Sequence, residues 1–388
     1  MSPDDPVHLG TGAELAAALP HLLGFHPQES LVLVALTGDR ARRVGVTLRV
    51  DLPGPVGAED LADDLADDLA RDAVRRLGHE PPAAVVAVVV TEALDEAVRL
   101  DPADLLDVPV AALDPVGLRL LRTRDAAGEV PDLPGRGVVH AVARVLAERG
   151  VPLLEALLVR DGRCFDYDCT AACCDPGAGQ PLPTGTPALA AAAVAEGRVV
   201  ATDRAELVAR LAPVTGPAAL AVRRACTVIG AEHAAALAEL GWARLVERSW
   251  RQVLDGVDAH RPGRTAALTD DQVARLGWAL TDLEVRDRSA VLAVGPDACA
   301  AAALWTELTR RLPAPLDAPP ATLLAAAAWA RGDGTTARTA LDRALASQPA
   351  YSLALLLADG LDAGLPPSVV REWLTAAASR PVSEELGA

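Results

Sequence analysis

The chain has 388 residues, 51% of them apolar and 3% aromatic, with a formal charge of −17 and a pI near 4.8. All 36 basic residues are arginine, so Schiff-base amines, P-loop lysines and Ser–Lys dyads are excluded, and with them conventional kinases, Walker ATPases and pyridoxal-phosphate enzymes. Phosphate-backbone binding needs clustered positive charge, whereas Arg42-Arg43, Arg75-Arg76, Arg223-Arg224 and Arg310-Arg311 are scattered among acids, so nucleic acid is not expected as a partner.

That length suits two or three domains, with cores built from Ala, Val and Leu. Lysine and asparagine, both with AT-rich codons, are absent, as a GC-rich genome would explain. The opening MSPDDPVHLG is acidic and lacks the plan of a signal peptide. The longest apolar runs, Ala83–Val90 and Leu323–Ala330, are far shorter than a bilayer span. The expectation is a soluble cytoplasmic protein with no membrane partner and with reduced thiols.

The first motif is PHLLGFHPQESLV, where His26, Glu29 and Ser30 are candidate ligand-binding residues, with His21 nearby. His, Glu and Ser suit a hydrolytic group, but no G-x-S-x-G elbow accompanies Ser30. The alternative is a loop entering a strand, with Pro27 fixing the turn and Glu29 or Ser30 capping free backbone groups. SLVLVAL (Ser30–Leu36) and VGVTLRVDL (Val44–Leu52) then read as a hairpin joined by TGDRARR. AEDLADDLADDLARDAVRRL follows, with Leu61, Leu65, Leu69, Ala73 and Leu77 on one stripe of an amphipathic helix. Its DDLADD (Asp63–Asp68) has a magnesium-like D-D-x-x-D spacing. No second acidic motif faces it, and a solvated helix face accounts for the same residues.

Ala83–Val90 is apolar at every position, as a central strand covered on both faces would be. Residues 101–135 read as loop with one short element, followed by a helix from about Val138 to Arg149. EALLVRDGRCFDYDC supplies two β-like runs turning at Asp161-Gly162. Residues 1–186 are thus expected to form an α/β domain with a mixed sheet, ending in a Cys-rich turn.

That turn is DYDCTAACCDPGAG, in which Cys169, Cys173, Cys174 and Asp175 are candidate metal or thiol residues. Zinc takes about four tetrahedral ligands, commonly from two C-x2-C knuckles, and only one C-x3-C-C cluster is present here. Three thiolates with Asp175 or Cys164, a redox pair, and small apolar side chains packed under a turn all remain open. No cofactor is expected beyond a structural metal at this turn.

From Pro187 the pattern is helical, broken at PVTGP (213–217), RPGR (261–264), VGP (294–296) and LPAPLDAPP (312–320). Residues 187–388 are expected to be all-α. Ala337, Ala340, Leu341, Ala344 and Leu345 form one stripe, and 320–364 has the small-residue pattern of a TPR-like helical hairpin. All six tryptophans fall in this half, where they suit packing. The glycine patterns GTGAEL and GDGTTA follow no strand and carry no dinucleotide site.

LPHLLGFHPQESLVLVAL, FDYDCTAACCDPGAGQP and LAAAAWARGDGTTARTALDRALASQPAYSLALLLADGLDAGLPP, in that order, resemble an actinobacterial family catalogued as domain of unknown function 4192. The resemblance implies a lineage, from about Leu19 to Pro367, and no reaction. The leading expectation is a non-catalytic interaction or regulatory protein with a protein partner. The alternatives are an enzyme or small-ligand sensor, with its pocket between the 21–30 loop and the 164–176 turn, and a thiol or metal-binding structural or redox protein.

Overall fold

The computed structural model describes residues 11–38, 41, 43–52, 59–78, 81–99, 129–184, 200–264 and 267–378. The chain folds as two compact units, Met1–Asp203 and Arg204–Ala388. The change of pattern expected after residue 186 falls next to residues 185–199, outside the described set, as does most of the expected 101–135 loop.

The first unit is an α/β sandwich around a mixed sheet. After α1 (Gly12–Leu23), β1 (Ser30–Thr37) and β2 (Arg43–Asp51) form the expected hairpin, and α2 spans Glu59–Arg75. β3 (Ala84–Val90) pairs antiparallel with β1 and parallel with β6 (Leu153–Arg160), which makes it central. β4 (Glu96–Arg99) and β5 (Glu129–Asp132) make a separate two-stranded ladder before α3 (Arg136–Glu148). β7 (Arg163–Asp166) returns along β6, and the short β8 (Gln180–Pro181) closes the order β2-β1-β3-β6-β7-β8.

The continuous apolar run of β3 follows from this position. Val85, Ala87 and Val89 pack under α2 and α3, while Val86 and Val88, on the other face, are buried too. Helix α1 supplies cover at β6, where a side chain on Gly12 would collide with Glu155 and Leu157. Of the DDLADD acids, Asp67 bonds Arg144 on α3 and Asp64 and Asp68 are exposed, so the group serves as a solvated face and a helix–helix link.

The second unit is helical throughout its described residues. It comprises α4 (Arg204–Arg210), α5 (Gly216–Leu240), α6 (Trp242–Ala259), α7 (Asp270–Ala279), α8 (Leu283–Ala290), α9 (Ala298–Arg311), α10 (Ala318–Ala330), α11 (Gly334–Ser347), α12 (Ser352–Asp362) and α13 (Pro367–Ala378). Every residue of α10 is buried, as a helix apolar on all sides must be. Ala337, Ala340, Leu341 and Ala344, the stripe read from the sequence, bury α11 against it. Gly360 lets α12 approach the Trp329 ring, which a Cβ would meet at 2.9 Å. Trp305 and Trp329 are enclosed and Trp250 and Trp278 partly so, while Trp242 and Trp373 stay exposed. No helix among the described residues is long and apolar enough to cross a membrane.

Candidate functional site

The residues singled out in the first unit gather at two places on one sheet. Ser30 pairs with Val90, Val90 with Val159, and Val159 with Cys164. Three strand spacings therefore separate Ser30 from Cys164, about 14 Å between backbones. The two groups share a sheet row, and among the described residues no hydrogen bond joins them.

At the β1 end, Glu29 has a left-handed backbone (φ 41°) that turns its carboxylate back toward the end of β3. Its oxygens accept hydrogen bonds from the Thr91 hydroxyl at 2.6 Å and the Glu92 amide at 2.9 Å. The buried Ser30 hydroxyl donates to the Gln28 carbonyl at 2.5 Å and accepts from Arg49 Nε at 2.6 Å. Arg49 also pairs with Asp51. Glu29 and Ser30 thus tie together the end of β3, the end of β2 and the start of β1. His26 is exposed, and its backbone amide donates to the Ala201 carbonyl.

At the other end of the row, Asp166 closes β7 and begins a tight turn. The Asp168 amide donates to its carboxylate and the Cys169 amide to its carbonyl, and a single 3-10 turn spans Ala172–Cys174. Gly179 then returns the chain with φ +67°, so close to Phe165 that a Cβ would lie 2.6 Å from the ring. The result is a thiol triad. Cys169 Sγ lies 3.9 Å from Cys173 Sγ, which lies 4.0 Å from Cys174 Sγ, and all three sulfurs fall within 4.8 Å of one another. Among the described residues the group is these three alone: Asp175 and Cys164 stand outside it.

The three sulfurs differ in environment. Cys173 is exposed, and hydrogen bonds from Cys169 and Gln180 draw its pKa below the usual thiol value. Burial pushes Cys174 up to about 12, although its sulfur accepts a hydrogen bond from the Asp166 amide. Burial likewise raises Cys164 to about 11, with Asp166 and Glu155 adding to the effect. An electrophile or a metal ion therefore meets Cys173 first.

One buried charged group escaped the sequence reading. Asp132 and Arg136, both under 10% exposed, form a two-pronged ion pair, with Nε–Oδ2 at 2.5 Å and Nη2–Oδ1 at 2.9 Å. Arg136 Nη1 also donates to the Tyr167 carbonyl at 3.1 Å, and its guanidinium lies 5.4 Å from the Tyr167 ring centre. The Tyr167 hydroxyl bonds the Pro134 carbonyl. The pair fastens the turn before α3 to the chain leading into the thiol turn. Its trace in the sequence is PDLPGR, an acid and an arginine four apart across a Pro-Gly turn.

The second unit carries a cleft of about 300 Å³ lined by Pro213, Val214, Leu312, Pro313 and Ala346 together with Arg223, Arg310, Arg311 and Arg343. Arg311 is neutralised by Asp270 and Glu307, and Arg343 by Asp317. Among the described residues neither Arg223 nor Arg310 has an acidic partner. Two positive charges without an acidic partner among the described residues thus flank apolar walls on a chain of net charge −17. Sequence reasoning missed this because the four arginines come from α5, α9 and α11.

No curated protein and no solved structure matches the chain. A family model does, over residues 13–368, and it spans both the thiol turn and the helical cleft. The chain belongs to the family described as Domain of unknown function (DUF4192).

Proposed function

We propose that this is a non-catalytic interaction protein whose helical unit binds an acidic peptide segment of a partner protein in the cleft at Arg223 and Arg310. The observation that carries the reading is the pairing of two arginines, without an acidic partner among the described residues, with apolar walls of Pro213, Val214, Leu312 and Pro313. Carboxylates would meet the guanidinium groups, and the peptide's aliphatic portions would cover the walls. We read residues 320–364 as a TPR-like hairpin region, whose α11 holds one side of this cleft through Arg343 and Ser347. The composition supports a cytoplasmic protein of a GC-rich actinobacterium.

The test is anisotropy of a fluorescein-labelled deca-glutamate peptide titrated with the full chain. Saturable binding is expected, weakened roughly tenfold or more in the R223E/R310E variant. Both side chains are on the surface, so an unchanged circular dichroism spectrum serves as the folding control. Absence of saturable binding, or binding indifferent to both charge reversals, overturns the reading. So does inorganic phosphate binding at these arginines without the peptide.

A second reading places a small-ligand pocket between the 21–30 loop and the thiol turn, and the shared row of Ser30 and Cys164 favours it. Glu29 and Ser30 already bond within the protein there, so the cleft reading leads.

A further inference from the structure

The thiol turn lies in the other unit and owes nothing to the cleft. We infer that Cys169, Cys173 and Cys174 form a three-thiolate site for a thiophilic closed-shell cation, Zn²⁺ or Cu⁺. The sulfur–sulfur spacings carry the argument. Thiolates bound to zinc at about 2.3 Å lie about 3.8 Å apart in a tetrahedron, and about 4.0 Å apart in a trigonal plane with the same bond length. The turn holds Cys169 and Cys173 at 3.9 Å and Cys173 and Cys174 at 4.0 Å. Side chains packed for volume would touch at this distance too; what favours a metal site is that three sulfurs from one short turn converge within 4.8 Å, with Cys173 open to solvent.

The backbone explains how the cup is held. The 3-10 turn places Cys173 and Cys174 consecutively, the Asp166 amide fixes the Cys174 sulfur from behind, and Gly177 and Gly179 fold the chain back beneath. Such preorganisation lowers the cost of assembling ligands around an ion. Thiolate sulfur selects soft cations over Mg²⁺ or Ca²⁺, which take oxygen donors. On binding, each thiol loses its proton to solvent. Zn²⁺ with three thiolates leaves a net charge of −1, and exposed Cys173 leaves the remaining tetrahedral position on the solvent side for water.

The experiment uses the full chain, reduced and then incubated with one equivalent of Zn²⁺ or, anaerobically, of Cu⁺, desalted and assayed by elemental analysis. Retention of about one equivalent of either ion is expected, and which ion is retained identifies the site's preference. C173S alters an exposed side chain and so spares folding; it should weaken retention at least tenfold against a chromophoric chelator. C299S, at another exposed cysteine, should leave retention unchanged. A protein that retains neither ion, or a C173S variant that binds as the parent does, overturns the inference. So does retention lost equally in C299S.

Discussion

Replacing Arg136 with methionine would leave the Asp132 carboxylate buried without its cation. Removing one partner of such a pair costs about 3–5 kcal/mol, because the remaining charge keeps its desolvation penalty. R136M is therefore expected to lose that much stability in urea denaturation followed by far-ultraviolet circular dichroism. The double variant D132L/R136M should recover most of it; equal losses in single and double variants would refute the account. The sequence revealed the two residues but not the bond, because the third participant, the Tyr167 carbonyl, lies 31 residues away. Cysteine spacing was more legible, since thiols four and five positions apart in one tight turn meet locally. It did not show that Asp175 and Cys164 stand outside the triad. The capping roles open to Glu29 and Ser30 were readable from residue type, whereas the strands they brace were fixed only by sheet order.

Between helices, one acidity-sensitive link joins α6 to α9. His260 Nδ1 faces the Gly256 carbonyl and Nε2 faces the Glu307 carboxylate, each at 2.8 Å. Both ring nitrogens thus meet acceptors, which only imidazolium can satisfy with two N–H groups. The Glu307 hydrogen bond raises the His260 pKa against the opposing effect of burial. Burial alone would raise Glu307, but His260 and Arg311 outweigh it and hold its pKa down. A raised histidine contributes stability that is complete below its unfolded value and is lost as pH rises through the folded one. For Glu307 the sign reverses: its contribution is present above the unfolded carboxylate value and lost as pH falls through the depressed one. Thermal stability should accordingly decline as pH climbs from about 6 past the raised His260 value. H260Q should flatten that slope; an unaltered slope would remove His260 as its source. At this scale the sequence was informative, because hairpin, amphipathic helix and central strand each follow from local periodicity. The bonds between helices do not, since His260 and Glu307 are 47 residues apart.

Across the whole chain, net charge and local charge oppose one another. A charge of −17 repels an acidic peptide at long range, while Arg223 and Arg310 attract it at contact. The screening length shrinks from about 30 Å at 0.01 M salt to about 10 Å at 0.1 M. Repulsion across the surface is therefore screened before contact pairs are. Stopped-flow association with deca-glutamate should become faster over that range, with dissociation faster too. An association rate that falls from the lowest salt onward would mean that the peptide experiences the cleft alone. The sequence disclosed the total charge and the α/β-then-helical order, but judged its arginine pairs as scattered. Only folding sets Arg223, Arg310 and Arg343 around one opening.

Helix α10, enclosed on all sides, has a mechanical consequence. It is the axle of the helical unit rather than part of its rim, and no visitor can touch it directly. Any displacement at Arg343 or Gly360 would reach it through α11 or α12, so a single added methyl group on that axle would be felt by α9, α11 and α13 at once.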